Sequence, residues 1–117
     1  MKIFVSRVMP GTALNRLKKS EHEVLVSEYN RSMSAEECLE RDRGSDAVLS
    51  FHTDKVNGEV VDAIGPQLKV VSNYAVGVNN IKVDELTERG IVVSNTPSDE
   101  VNEAVAEHAW ALMLALS

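Results

Sequence analysis

One alternation constrains this chain more than any other feature. A short run rich in Val, Ile and Leu is followed by a stretch with helical spacing, and the pair recurs five times. The runs are Ile3-Phe4-Val5-Ser6, Glu23-Val24-Leu25-Val26, residues 47–51, residues 68–72 and Ile91-Val92-Val93-Ser94. Continuous apolar strands of this kind are buried on both faces, which is the habit of parallel sheets. Helices are expected over residues 13–19, 34–43, 57–64 and 83–89, with Thr12, Ser34 and Asn57 as caps. Ser34 and Glu37 have capping-box spacing. Gly44, Gly65-Pro66 and Gly90 are stop signals. Right-handed crossovers then favour a doubly wound, flavodoxin-like α/β domain with strand order 2-1-3-4-5.

The last helix, which follows Asn95-Thr96-Pro97-Ser98, has a different character. From Ala104 to Ser117 only Glu107, His108 and the terminal serine are not apolar. A helix apolar nearly all round needs to be buried, and one small sheet cannot cover every face of it. It either packs on its own sheet or meets another subunit or domain, and the second is expected. The natural division is residues 1–97 as one unit and 98–117 as a helix leading out of it. That apolar stretch is too short and too polar to span a bilayer. With 12 basic against 18 acidic side chains the net charge is −6, which argues against a nucleic-acid partner. An apolar fraction of 44% excludes disorder. A single cysteine, Cys38, excludes an internal disulfide, and a cytoplasmic location is the default. Acidic neighbours disfavour its thiolate.

Ligands of open α/β sheets bind beyond the carboxyl ends of the strands. The segment after the fourth run, Asn73-Tyr74-Ala75-Val76-Gly77-Val78-Asn79-Asn80, is the most unusual there. Gly77 permits close approach, and the amides of residues 75–78 suit an anion the size of a small carboxylate. A plain turn with an aromatic plug fits the same residues. His52, just past the third run, is a polar contact, a proton carrier or a surface histidine. His22 and His108 have no local partner, no His/Cys pair has metal spacing, and the acidic pairs Glu36-Glu37 and Asp84-Glu85 look like solvated helix faces.

The six glycines are scattered, so neither a G-x-G-x-x-G loop nor a Walker A loop exists. This chain alone has no phosphate cradle. A receiver domain would place its phosphoacceptor near Asp54. It also needs acids after the first strand and a lysine after the fifth, where this chain has Arg7 and Thr96. A flavodoxin would need a Ser/Thr/Gly-rich first loop, which is missing.

Residues 68–81 and 88–97, Leu-Lys-Val-Val-Ser-Asn-Tyr-Ala-Val-Gly-Val-Asn-Asn-Ile and Glu-Arg-Gly-Ile-Val-Val-Ser-Asn-Thr-Pro, resemble the D-2-hydroxyacid dehydrogenase family. The glyoxylate/hydroxypyruvate reductase branch is the nearest resemblance. Ala104-Val105-Ala106-Glu107-His108 with the helix it opens, and the N-terminal Lys2–Arg7, fit the same pattern. The resemblance implies the first part of a substrate-binding domain, then a crossing helix toward a Rossmann domain that binds NAD or NADP. It implies a small 2-oxo acid as substrate and a D-2-hydroxy acid as product.

Carried over by position, Asn73, Tyr74, Ala75, Val76, Gly77 and His52 would serve the substrate. Val76 and Gly77 would offer amides to its carboxylate. Val76, Val101, Asn102 and Val105 would approach the cofactor. The helix over residues 100–117 would pack in a homodimer interface. The family's catalytic arginine, glutamate and histidine, and its glycine loop, would lie beyond Ser117. The isolated chain is therefore expected to be inactive and to bind no cofactor by itself. The alternative is a standalone module that binds a small carboxylate or dimerises.

Overall fold

A computed structural model describes residues 1–29, 31 and 35–117, without the side chains of Ala35 and Cys38. The Ser34 cap and the Cys38 thiol lie outside the described residues. Five strands and five helices alternate: β1 Lys2–Val5, α1 Ala13–Lys18, β2 Glu23–Val26, α2 Ala35–Asp42, β3 Ala47–Phe51, α3 Gly58–Ile64, β4 Val70–Tyr74, α4 Val83–Glu88, β5 Val92–Ser94 and α5 Asp99–Leu116. The strands form one sheet in the order β2-β1-β3-β4-β5, and every pairing is parallel. This is the order expected from the sequence.

Right-handed crossovers put α2, α3 and α4 on one face of this sheet and α1 on the other. Under the first face Phe4, Val48 and Val71 meet Val61, Ile64 and Leu86 in one core cluster. The second face is not fully covered, against the sequence expectation. Val93 packs toward the core, so its neighbour Val92 points the other way and is 62% exposed.

Local chemistry explains the helix ends. Asn57 caps α3, its side chain accepting from the Val60 N–H at 2.9 Å. Glu85 is not a merely solvated acid: it accepts the Gly58 N–H at 2.6 Å and ties α4 to the start of α3. Glu37 pairs with Arg31 through two bonds of 3.0 and 2.8 Å. Thr12 does not cap α1 with its side chain, because its backbone is already in the α region (φ −93°, ψ −11°).

The largest shift from expectation is in β4. It starts two residues later than read and takes in Asn73 and Tyr74, because Ser50 and Phe51 of β3 pair with them. Leu68 is instead a buried plug before the strand.

Asp42, the last residue of α2, is 4% exposed and its Oδ1 has no hydrogen-bond partner among the described residues. Burial raises its carboxyl to about 7. The Asp54 charge pushes the same way; the Asp42 backbone N–H and Lys2 oppose it. The folded chain therefore holds a proton that the unfolded chain has lost above about pH 4. Stability must fall as pH rises from about 4 to about 7. Urea unfolding at pH 5 and pH 8 should show this loss, of order a few kcal/mol. Asp42→Asn should remove most of the dependence and gain stability at pH 8.

Candidate functional site

The carboxyl ends of β3 and β4 carry the site, and a buried carboxamide organises it. Asn73, fully buried, accepts from Ser50 Oγ through its Oδ1 at 3.0 Å. Its Nδ2 donates to the Gly77 carbonyl at 3.0 Å and to Asn80 Oδ1 at 2.9 Å. Asn80 in turn donates to the carbonyls of Phe51 (3.0 Å) and Asp54 (2.8 Å). Asp54 closes the network from β1: its carboxylate accepts from Ser6 Oγ and from the Phe51 N–H. The loops after β1, β3 and β4 are thus one hydrogen-bonded unit.

A second set of bonds fixes the outer side of the loop. Asn95 Nδ2 donates to the Val76 carbonyl at 2.7 Å. The Thr96 N–H and Oγ1 both donate to the Ala75 carbonyl, at 2.9 and 3.2 Å. Ser98 then caps α5, accepting the Val101 N–H. The start of α5 is held against the loop by these contacts.

Between them lies an open groove of about 690 Å³. It brings together His52, Tyr74, Ala75, Val76, Gly77, Val101 and Val105, with Thr96, Pro97 and Ser98 as its floor and rim. Of the residues expected at the site, Asn73 and Asn102 do not line this groove. Asn73 lies beneath the loop and acts through it; no bond from Asn102 reaches the loop.

Two details of the expected anion nest need correction. The Ala75 N–H is donated to the Asn73 carbonyl at 2.9 Å, so it is not free for a ligand. The N–H groups of Val76, Gly77 and Val78 have no partner among the described residues. Gly77 also keeps a negative φ, so its left-handed freedom is unused. What it provides is room: a Cβ there would sit 3.0 Å from Asn79 Oδ1.

Tyr74 is part of an aromatic edge, its ring tilted by 56° to that of Phe51. Its ring lies 5.2 Å from Phe51, and Arg7 sits over the Phe51 ring at 5.6 Å while donating to Thr53 Oγ1. His52 is exposed, as are His22 and His108. Among the described residues no group of His, Cys, Asp and Glu could hold a metal ion, and no helix is long and apolar enough to cross a membrane.

The model of the D-isomer specific 2-hydroxyacid dehydrogenase catalytic domain matches residues 3–116. The chain belongs to that family. A glyoxylate reductase of Pyrococcus furiosus is 42% identical over 114 residues, covering 97% of this chain and 33% of the relative. A crystal structure of a Thermus thermophilus protein superposes with a TM-score of 0.87 at 36% identity, covering 98% of this chain and 36% of that one. An NAD+-bound 3-phosphoglycerate dehydrogenase from Entamoeba histolytica superposes at 0.69 with 30% identity, covering 83% of this chain and 33% of that one. The chain thus spans about a third of the length of the curated relatives it matches. The resemblance seen in residues 68–97 is that of the whole chain.

Asn80, Asn95 and Thr96 are the residues that sequence reasoning missed as supports of the loop. The signal was there in the Asn-Asn and Asn-Thr-Pro pairs, but an asparagine that ties a loop reads like one that only decorates it. Asn73→Ala should strand Ser50 Oγ and Asn80 and cost about 2–4 kcal/mol in urea unfolding. His52→Ala should stay within about 0.5 kcal/mol of the parent.

Proposed function

We propose that this chain is the carboxylate-holding part of an NAD(P)-dependent oxidoreductase that reduces a small 2-oxo acid of the glyoxylate or hydroxypyruvate type to the D-2-hydroxy acid. The observation that carries this reading is the groove that Val76 and Gly77, whose amides have no partner among the described residues, share with the first turns of α5. Two adjacent N–H donors on a braced loop suit a carboxylate, and charge-assisted bonds to it are the stronger kind. Tyr74 and His52 border the substrate's other end. The Arg7 guanidinium over the Phe51 ring brings a positive charge to this end of the sheet, on a chain whose net charge is −6.

The apolar side chains of Val76, Val101 and Val105 form a wall suited to one face of a nicotinamide ring. Asn102 would support that wall from α5. NAD(P), when bound, supplies the hydride. This chain has no glycine loop for the pyrophosphate. Its own work is to bind and orient the acid and to shield one side of the ring from water. Residues 1–97 form the holding domain, and residues 98–117 lead out of it.

No residue of α5 is buried: Trp110 is 64% and Leu116 89% exposed. The helix has 18 residues and is about 27 Å long, and from Ala104 onward its surface is mostly apolar and lies in water. We infer that a second copy of the chain covers it, giving a homodimer. Light scattering should find the dimer; a strict monomer at high concentration would contradict it.

The purified 117-residue chain should give no glyoxylate-dependent oxidation of NADH or NADPH. Joined at Ser117 to the remaining two thirds of the Pyrococcus furiosus relative, it should give such turnover. Gly77→Pro in that fusion, which deletes one amide donor, should raise KM about tenfold or more. Turnover by the short chain alone, or an unchanged KM in the proline variant, would overturn the reading.

A further inference from the structure

A second cavity, of about 260 Å³, lies between α2, α3 and the sheet and shares no residue with the groove. Val48, Val56, Val60, Ile64 and Val71 give it aliphatic walls, and Asp42 stands at one side. The other buried polar groups among the described lining residues are already engaged. The Asp54 carboxylate accepts from Ser6 and from the Phe51 N–H, and Ser50 donates to Asn73. Asp42 Oδ1 is the exception: a buried acceptor on the cavity wall with no donor among the described residues to meet it. Buried polar atoms are nearly always partnered, so this oxygen asks for a donor from within the cavity.

The charges around the cavity limit what can bring that donor. The Asp54 carboxylate disfavours an anion, which argues against the carboxylate proposed for the groove. Lys55 on the lining disfavours an ammonium, and a buried cation would lose its hydration as well. A neutral hydroxyl meets neither objection. The volume is ample for one ring, since an apolar cavity of about 150 Å³ already holds benzene in another protein. We propose that this cavity binds a small neutral molecule with an aromatic or branched aliphatic body and one hydroxyl, which it donates to Asp42 Oδ1. The body packs against Val60, Ile64 and Val71.

The test is phenol against toluene, titrated into the 117-residue chain and followed by ligand-detected NMR. Both should bind saturably, with phenol about tenfold tighter through the added hydrogen bond. Val60→Phe, at a half-buried position, fills the space and should abolish both. Asp42→Ala should keep toluene binding and lose the phenol advantage. Where that variant does not fold, the Asp42 carboxyl 13C shift in the parent chain gives the same answer: it should move with phenol and stay with toluene. The proposal is overturned if neither compound saturates, which would leave only water in the cavity. It is equally overturned if Val60→Phe binds as the parent does, if the phenol advantage survives Asp42→Ala, or if the 13C shift ignores phenol.

Discussion

The side chain of Asn73 is the constraint on which the site depends. A parallel sheet ends in loops that nothing in the ladder holds together. One buried carboxamide, accepting from β3 and donating to Gly77 and Asn80, anchors a network that Asn80 and Asp54 extend until three such loops are one piece. Asparagine is suited to this because it carries donors and an acceptor at one end of a short chain. An aspartate would lose the donors, and a leucine would leave every partner unsatisfied. The site's outer residues can then be mobile or simple, because the backbone that presents them is fixed from below.

The groove follows from that rigidity and from α5. Asn95 and Thr96 bind the loop from outside, and Pro97 and Ser98 turn the chain into the helix at once. Val101 and Val105, one helical turn apart, therefore face Val76 and Gly77 across a fixed gap. The first turns of α5 form a wall of the site, while its last turns carry Trp110 and Leu116 away into solvent. The turns that line the groove and the turns that carry the exposed apolar stripe are consecutive parts of one helix.

Much of this fold was legible in the residues, and the reasons are physical. Runs such as Ala47-Val48-Leu49 have no polar face, which only a sheet interior tolerates, and the handedness of crossovers then leaves few orders. Gly77 marked the loop because little else in an apolar stretch invites close approach. The parts that escaped depend on partners distant in sequence. The end of β4 is set by Ser50 and Phe51 of β3, so the residues near 73 looked like loop. Asp42 is marked by no pattern in the sequence, because its burial depends on where α2 packs in the fold. Thr12 had the right chemistry for a cap but not the backbone angles. Glu85 seemed one of a solvated pair until α3 came within reach of it.

The central claim is that the Val76 and Gly77 amides hold a carboxylate. The most direct measurement is an amide proton–nitrogen NMR titration of the chain with glyoxylate and with oxalate. The account predicts that the largest shifts fall on Val76 and Gly77, with smaller ones at Tyr74 and His52. Shifts centred elsewhere, for example on the exposed lysines Lys55 and Lys82, or no shift with either acid, would contradict it.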